Sequence, residues 1–364
     1  MPFSVRKELL LAGETVHGGL DYAKLRSEGV EPESILDFSV STNPLPPHPE
    51  VERAVARAAF DRYPDSSSEA LRRAIAEANA FSPEEVLVTN GLAQAIVLLA
   101  FAFCDRGSRA LVASPAFGEY EAASRLAGAE VLFVPAREEE GFAFPAQRLM
   151  HAVRAHRPAL VWVCSPNNPT GAAPSREEAV SLLRVCEDEG ALLLLDEAYV
   201  NFAPPGVSAR GLLPSPNLLL LRSMTKDYGL TGLRLGYILG ATGLLRPLRA
   251  LQPPWSVNAC AQAAGEEALR RNAYYEAQWR EVRSLTERMA SKLRALGYAP
   301  SPPSANFILF KVGDTAALKE FLWRERILVR DCASFGLPGY VRVGVRSEAE
   351  NNRLIECISS FKER

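Results

Sequence analysis

From about residue 50 to 250 the chain alternates between two hydrophobic patterns. Short apolar runs, "RALVAS", "ALVWVCS", "ALLLLDE", "NLLLLRS" and "LGYILG", are separated by amphipathic stretches such as "SREEAVSLLRVCEDEG". Apolar runs without alternation suit strands buried on both faces. The stretches between them repeat at helical spacing. Together they predict a mostly parallel sheet covered by helices on both faces, an α/β architecture. The serines of "SSSEALRRAIAEANA" offer caps for one of those helices. After the break "LQPPWSVN" the pattern changes. A long helical stretch over about 259–296 leads to "ANFILFKV", "RILVRDC" and "YVRVGVR", short or alternating segments that predict antiparallel strands of a smaller α+β lobe. Residues 1–45 hold no core of their own and are expected to pack on that lobe, leaving a large domain over 46–255 and a small one over 256–364.

Composition narrows the chemistry. The 364 residues carry a net charge of −2, so no global basic field recruits nucleic acid or an anionic membrane. An anionic ligand must instead meet a local cluster of Arg, Lys, His and backbone N–H groups. The six cysteines, at 104, 164, 186, 260, 332 and 357, form no C-x-x-C pair, which points to free thiols in a reducing cytoplasm. The four histidines are scattered too, so a zinc site is not expected. The apolar patch in "VRKELLLAGETVHGG" is too short for a signal sequence, and no run reaches the ~18 apolar residues of a membrane span.

In parallel sheets ligands collect at the carboxyl ends of the strands, and four motifs lie there. "SMTKDYGLTGLRLGY" (223–237) puts a lysine where an apolar run stops. "CSPNNPTG" (164–171), "LLLLDEAY" (192–199) and "SPAFGEY" (114–120) end three others. Taken singly they read as a solvated charge, a turn, a helix cap and ordinary core. Taken together they suit a phosphorylated pyridine aldehyde. Lys226 can condense with the aldehyde, Asp196 can pair with a protonated ring nitrogen, and Asn168 and Tyr199 can hydrogen-bond a ring hydroxyl. Phe117 can stack on the ring. Arg234, with Ser223 and Thr225, can clamp the phosphate, helped by N–H groups where Gly91 opens the apolar helix of "TNGLAQAI". No Walker or G-x-G-x-x-G pattern competes for a nucleotide.

"NNPTG", "DEAY", "SMTK" and "GLRLGY", in this order and spacing, resemble the fold-type-I pyridoxal-phosphate (PLP) enzymes of the aspartate aminotransferase superfamily, nearest to the histidinol-phosphate aminotransferase branch. "HGG" (17–19), "ILDFSVSTNPLP", "RYPDSSSEALRRAIA", "PPWSVNACAQAAGEEAL", "ILVRDCASF" and "YVRVGVRSEAENNRL" are similar to a subgroup of that branch, the L-threonine-O-3-phosphate decarboxylases of cobalamin biosynthesis. The resemblance implies PLP as cofactor, a homodimer, and a phosphorylated amino acid as substrate. It implies that Arg342 holds the substrate carboxylate. His17, followed by Gly18 and Gly19, and Arg330 or Arg346 would then hold the substrate phosphate. Asn43 would add a contact, and Tyr63 would reach a cofactor phosphate across the dimer interface. Arg342 and Arg346, four apart in "YVRVGVR", are expected on one side. One departure stands out: Leu92-Ala93-Gln94 follows Asn90-Gly91 where the subgroup has polar residues. Backbone N–H groups at Gly91, Leu92 and Ala93 would remain, but a hydroxyl contact is lost and weaker PLP retention is expected. Amino transfer on histidinol phosphate shares every cofactor residue. A catalytically silent fold is the third reading, which Lys226, Asp196 and Arg234 together oppose.

Overall fold

The computed structural model describes residues 15–363. At its centre lies a seven-stranded sheet in the order β2-β8-β7-β6-β5-β3-β4. Its strands are β2 (Val86–Thr89), β3 (Arg109–Ser114), β4 (Glu130–Pro135), β5 (Leu160–Cys164), β6 (Leu192–Asp196), β7 (Leu218–Ser223) and β8 (Gly236–Gly240); a short β1 (Leu36–Asp37) lies outside it. The four pairings from β4 through β7 are parallel. β8 departs from the sequence expectation, running antiparallel to both β7 and β2. Only a loop and a 3₁₀ turn separate β7 from β8. Without a crossover helix the chain can return only antiparallel.

Period-two packing explains why the leucine runs are strands. Leu193, Leu195, Leu218 and Leu220 belong to one core. Leu192, Leu194, Leu219 and Leu221 belong to another. Both faces of the sheet are therefore dry, and each fully buried leucine contributes about 2 kcal/mol of transfer free energy. The helix Arg176–Glu189 opens on a Ser175–Glu178 capping box and stops at Gly190 in the left-handed region. The helix Glu69–Asn79 is capped otherwise than its serines suggest. Ser68 has φ 48° and makes no side-chain cap bond, while Asp65 accepts from the N–H groups of Ser67 and Glu69 at 2.9 and 2.7 Å.

Beyond residue 255 the long helical stretch is two helices, Ala259–Arg270 and Asn272–Ala295, broken at Arg271. "RILVRDC" also divides, into β10 (Ile327–Leu328) and β11 (Arg330–Asp331). With β9 (Phe307–Lys311) and β12 (Tyr340–Gly344), β11 forms an antiparallel sheet in the order β11-β12-β9. β10 instead pairs in parallel with β1 from the N-terminal segment. Phe38 then enters the core built by Leu285, Ile308, Phe310, Val341 and Leu354. No described helix is long and apolar enough to cross a membrane.

Candidate active site

The carboxyl ends of β3, β5, β6 and β7 open on a cavity of about 430 Å³. Lys226, in the loop after β7, lines it together with Asp196, Tyr199, Asn168 and Phe117. Burial holds the Lys226 ammonium down to about 8; the guanidinium groups of Arg342 and Arg234 press the same way and Asp196 opposes them. Near neutral pH a useful fraction of its Nζ is thus uncharged, as a nucleophilic amine requires. Asp196 ends β6 and is 4% exposed. Its Oδ2 accepts from the Tyr120 hydroxyl at 2.6 Å and its Oδ1 from the Ala198 N–H at 2.9 Å. Burial nevertheless pushes its carboxyl up to about 6, against the lowering effect of those two donors. Two hydrogen bonds do not compensate the buried charge, and a protonated ring nitrogen would.

Tyr120 is a residue the motif reading overlooked, although it stands inside "SPAFGEY". It stacks on Trp162 at 5.0 Å. The available signal was its position three residues after Phe117, one helical turn on. Phe117 itself is partly buried and edges Tyr120 at 5.9 Å. Asn168 Oδ1 accepts from Arg342 Nη1, which leaves the Asn168 amide as its remaining donor. Tyr199 is buried and packs edge-on against Phe307.

One end of the cavity is formed by a helix N-terminus. The helix Gly91–Phe103 has no side-chain cap from Asn90 and no acidic residue in its first turn, so its leading N–H groups are left for an anion. Gly91 has φ 67°, and a Cβ there would lie 3.0 Å from Arg234 Nη2. The missing side chain is what lets the guanidinium approach the helix end. Arg234, itself at φ 61°, is braced by a bond from Nη1 to Thr231 O at 3.1 Å. Leu92, Ala93 and Ser223 complete this end of the lining. Thr225 also lines it, but its hydroxyl already donates to Leu235 O at 3.1 Å.

Two further arginines, Arg342 and Arg330, line the same cavity. Arg342, 5% exposed, donates from Nη2 to Ser39 O at 2.6 Å and keeps its Nε without a partner. Arg330 donates to Val16 O and to Ser334 Oγ, both at 2.7 Å. His17 and Gly18 line the same wall, beside Ser39, Ser41 and Glu119, which motif spacing alone did not mark. At Gly18 a Cβ would stand 2.4 Å from Ser39 O, so glycine is required by the close approach.

Three expected residues lie elsewhere. Asn43 is buried behind the lysine loop; its Nδ2 donates to Asp227 O and Gln278 Oε1, and its N–H to Lys226 O. It braces the loop and does not line the cavity. Arg346 falls past the end of β12, so the alternation of that strand does not reach it. Its guanidinium bonds Glu350 Oε1 and Asp37 O. Tyr63 is 76% exposed and stacks on Trp255 at 4.5 Å, away from the cavity of its own chain.

These groups fit PLP: an amine for the aldehyde, a carboxyl for the ring nitrogen, an aromatic face and an uncapped helix with an arginine. Among the described residues no cluster of three or more His, Cys, Asp or Glu side chains could hold a metal ion. Comparison with known proteins agrees with the geometry. The threonine-phosphate decarboxylase of Salmonella typhimurium is 33% identical, over 94% of this chain and 96% of its own length. The histidinol-phosphate aminotransferase of Symbiobacterium thermophilum is 34% identical, over 90% of each. The crystal structure of L-threonine-O-3-phosphate decarboxylase from Porphyromonas gingivalis superposes with a TM-score of 0.79 at 31% identity, covering 90% of this chain and 99% of that one. The aminotransferase class I and II family matches residues 33–358, and the chain belongs to that family.

Proposed function

We propose that this enzyme decarboxylates L-threonine O-3-phosphate to (R)-1-amino-2-propanol O-2-phosphate and CO2, a step of cobalamin biosynthesis. The cofactor is pyridoxal 5′-phosphate. When bound, it supplies an electron sink for the pair left at Cα after a bond is broken. The observation that carries this reading is that Arg234, Arg342, Arg330 and His17 line one cavity. Arg234 and the N-terminus of the helix Gly91–Phe103 suit a cofactor phosphate. Arg342 suits a carboxylate, and Arg330 with His17 suits a further anion. Threonine phosphate has both a carboxylate and a phosphate, so a single substrate fills both sites. Histidinol phosphate has a phosphate and no carboxylate, and in amino transfer the carboxylate site would be filled only in the other half-reaction, by the 2-oxo acid.

In this reading Arg342 and the Arg330–His17 pair hold the two ends of the substrate, and their relative placement decides which Cα substituent is aligned for cleavage. With the cofactor bound, Asp196 would keep positive charge on the ring nitrogen. Lys226 would anchor the cofactor, and its Nζ, freed when the substrate amine takes its place, would be positioned to return a proton to Cα after CO2 has left. A homodimer belongs to the same reading, because Tyr63, exposed beside Phe60 and Trp255, can contact a cofactor only in a second copy.

Amino transfer on histidinol phosphate is the second reading, favoured by relatives of equal identity. Purified protein with PLP and O-phospho-L-threonine is expected to release CO2. No release, together with amino transfer from histidinol phosphate to a 2-oxo acid, would replace the decarboxylase by the aminotransferase.

A further inference from the structure

We propose that Glu119 is a positioning residue that sets how the distal anion of the substrate is received, acting through His17. The inference rests on the reading above that this anion is a phosphate. His17 Nε2 lies 3.0 Å from Glu119 Oε1, and the imidazole centroid is 5.6 Å from the Phe117 ring. The segment carrying His17 is exposed but pinned on both sides. Val16 O accepts from Arg330, and the Gly19 N–H donates to Ser39 Oγ at 2.8 Å. A Cβ at Gly118 would lie 2.8 Å from Thr15 Cγ2, so this segment also sits directly on the corner that presents Glu119.

The two partners differ in rigidity. Glu119 is the first residue of the helix Glu119–Ala127, where the helix dipole favours a carboxylate, and its side chain is 24% exposed. His17 lies outside any helix or strand and its side chain is 49% exposed. The carboxylate therefore fixes the imidazole, not the reverse. With Nε2 committed to Glu119, Nδ1 is the ring nitrogen left for a ligand. An imidazolium between a carboxylate and a phosphate donates from both nitrogens. Arg330 supplies the neighbouring positive charge.

Glu119 and Asp196 are the carboxylates among the cavity's lining residues, and the cofactor ring takes Asp196. This gives the proposal a sign that can fail. Were Glu119 merely a wall residue, its negative charge would repel a phosphate, and removing it would tighten binding. As a positioning residue, its removal loosens binding.

The test titrates the holoenzyme with O-phospho-L-threonine and, as control, with L-threonine, following the cofactor absorbance. Glu119→Ala is expected to raise Kd for the phosphorylated ligand about tenfold, the scale of one hydrogen bond to a charged group. Kd for L-threonine should stay within about twofold. Glu119→Gln, which keeps an acceptor, should fall between. In the His17→Ala background Glu119→Ala should add little, since the two act as a unit. Unchanged or tighter binding of the phosphorylated ligand, equal weakening of both ligands, or full additivity with His17→Ala would each overturn the proposal. Because the readout is binding, it separates from the reaction: a parent enzyme that binds O-phospho-L-threonine yet releases no CO2 sinks the decarboxylase reading and leaves the Glu119 result standing.

Discussion

Lys226 shows how strongly burial can act on one residue. Its folded value of about 8 lies below the ordinary 10.5. Well below pH 8 the lysine is protonated in both folded and unfolded chains, and the cost of burying its charge is fully present, roughly 3 kcal/mol for a shift of this size. As pH rises from 8 toward 10.5 the folded chain sheds this proton first, so at this site the unfolded state binds more protons and the site's contribution to the stability of the cofactor-free protein rises. Buried thiols such as Cys164 and Cys186, pushed up by burial, act in the opposite direction over the same window. The test is therefore the difference between the parent and Lys226→Met, both cofactor-free: the variant should be the more stable at pH 7, and its advantage should shrink as pH rises to 10.5. An advantage that stays constant or grows over that interval would refute the assignment. Lys226→Ala should abolish turnover and the absorbance of covalently held cofactor together; persistence of that absorbance would show that another amine holds the aldehyde. The lysine was legible because a charge ending a leucine run is anomalous. Tyr120 was not, since a tyrosine three residues past a phenylalanine is equally at home in any core.

At the scale of elements, the proposed phosphate end depends on one helix start. Gly91→Ala would place a Cβ within 3.0 Å of the Arg234 guanidinium at a φ of 67°. It should cost about 1 kcal/mol or more of folding stability and weaken PLP retention by displacing Arg234. Ala93→Thr, in the first turn of the same helix, restores a hydroxyl and should slow cofactor loss on dialysis; an unchanged rate would mean that the backbone N–H groups and Arg234 already satisfy the phosphate. The strands β3 and β5 to β8 could be read from their apolar runs, because both of their faces are buried; β4, with Phe133 exposed at the sheet edge, does not show that pattern. The direction of β8 could not be read, since apolar content is the same for either orientation. What settles it is the absence of a helix between β7 and β8.

For the molecule as a whole, Arg342 joins three distant parts of the chain. It stands on β12, donates to Asn168 after β5, and donates to Ser39 in the N-terminal segment. Arg342→Gln should therefore impair substrate binding and lower stability together, whereas Arg346→Gln, which loses a partly exposed pair with Glu350, should leave kcat/KM within about twofold and cost under about 1 kcal/mol. A larger kinetic effect of Arg346→Gln would place it at the substrate after all. The two arginines are indistinguishable by spacing, as both belong to "YVRVGVR". Only the end of β12 at Gly344 separates them, and a strand end is set by its partner β9. Asn43 is a similar case: a polar residue in a loop-like stretch suggests a ligand contact, yet its amide is taken by Asp227 and Gln278, far along the chain. Local chemistry was thus carried by the linear order of residues. Four strand-end motifs marked residues that line one cavity because each apolar run fixes where its own terminus lies, and a shared sheet brings those termini together. Folding alone determined which arginines face the cavity, which asparagine is structural, and that Glu119 meets His17. Those outcomes rest on contacts between residues widely separated in sequence, for which hydrophobic periodicity holds no information.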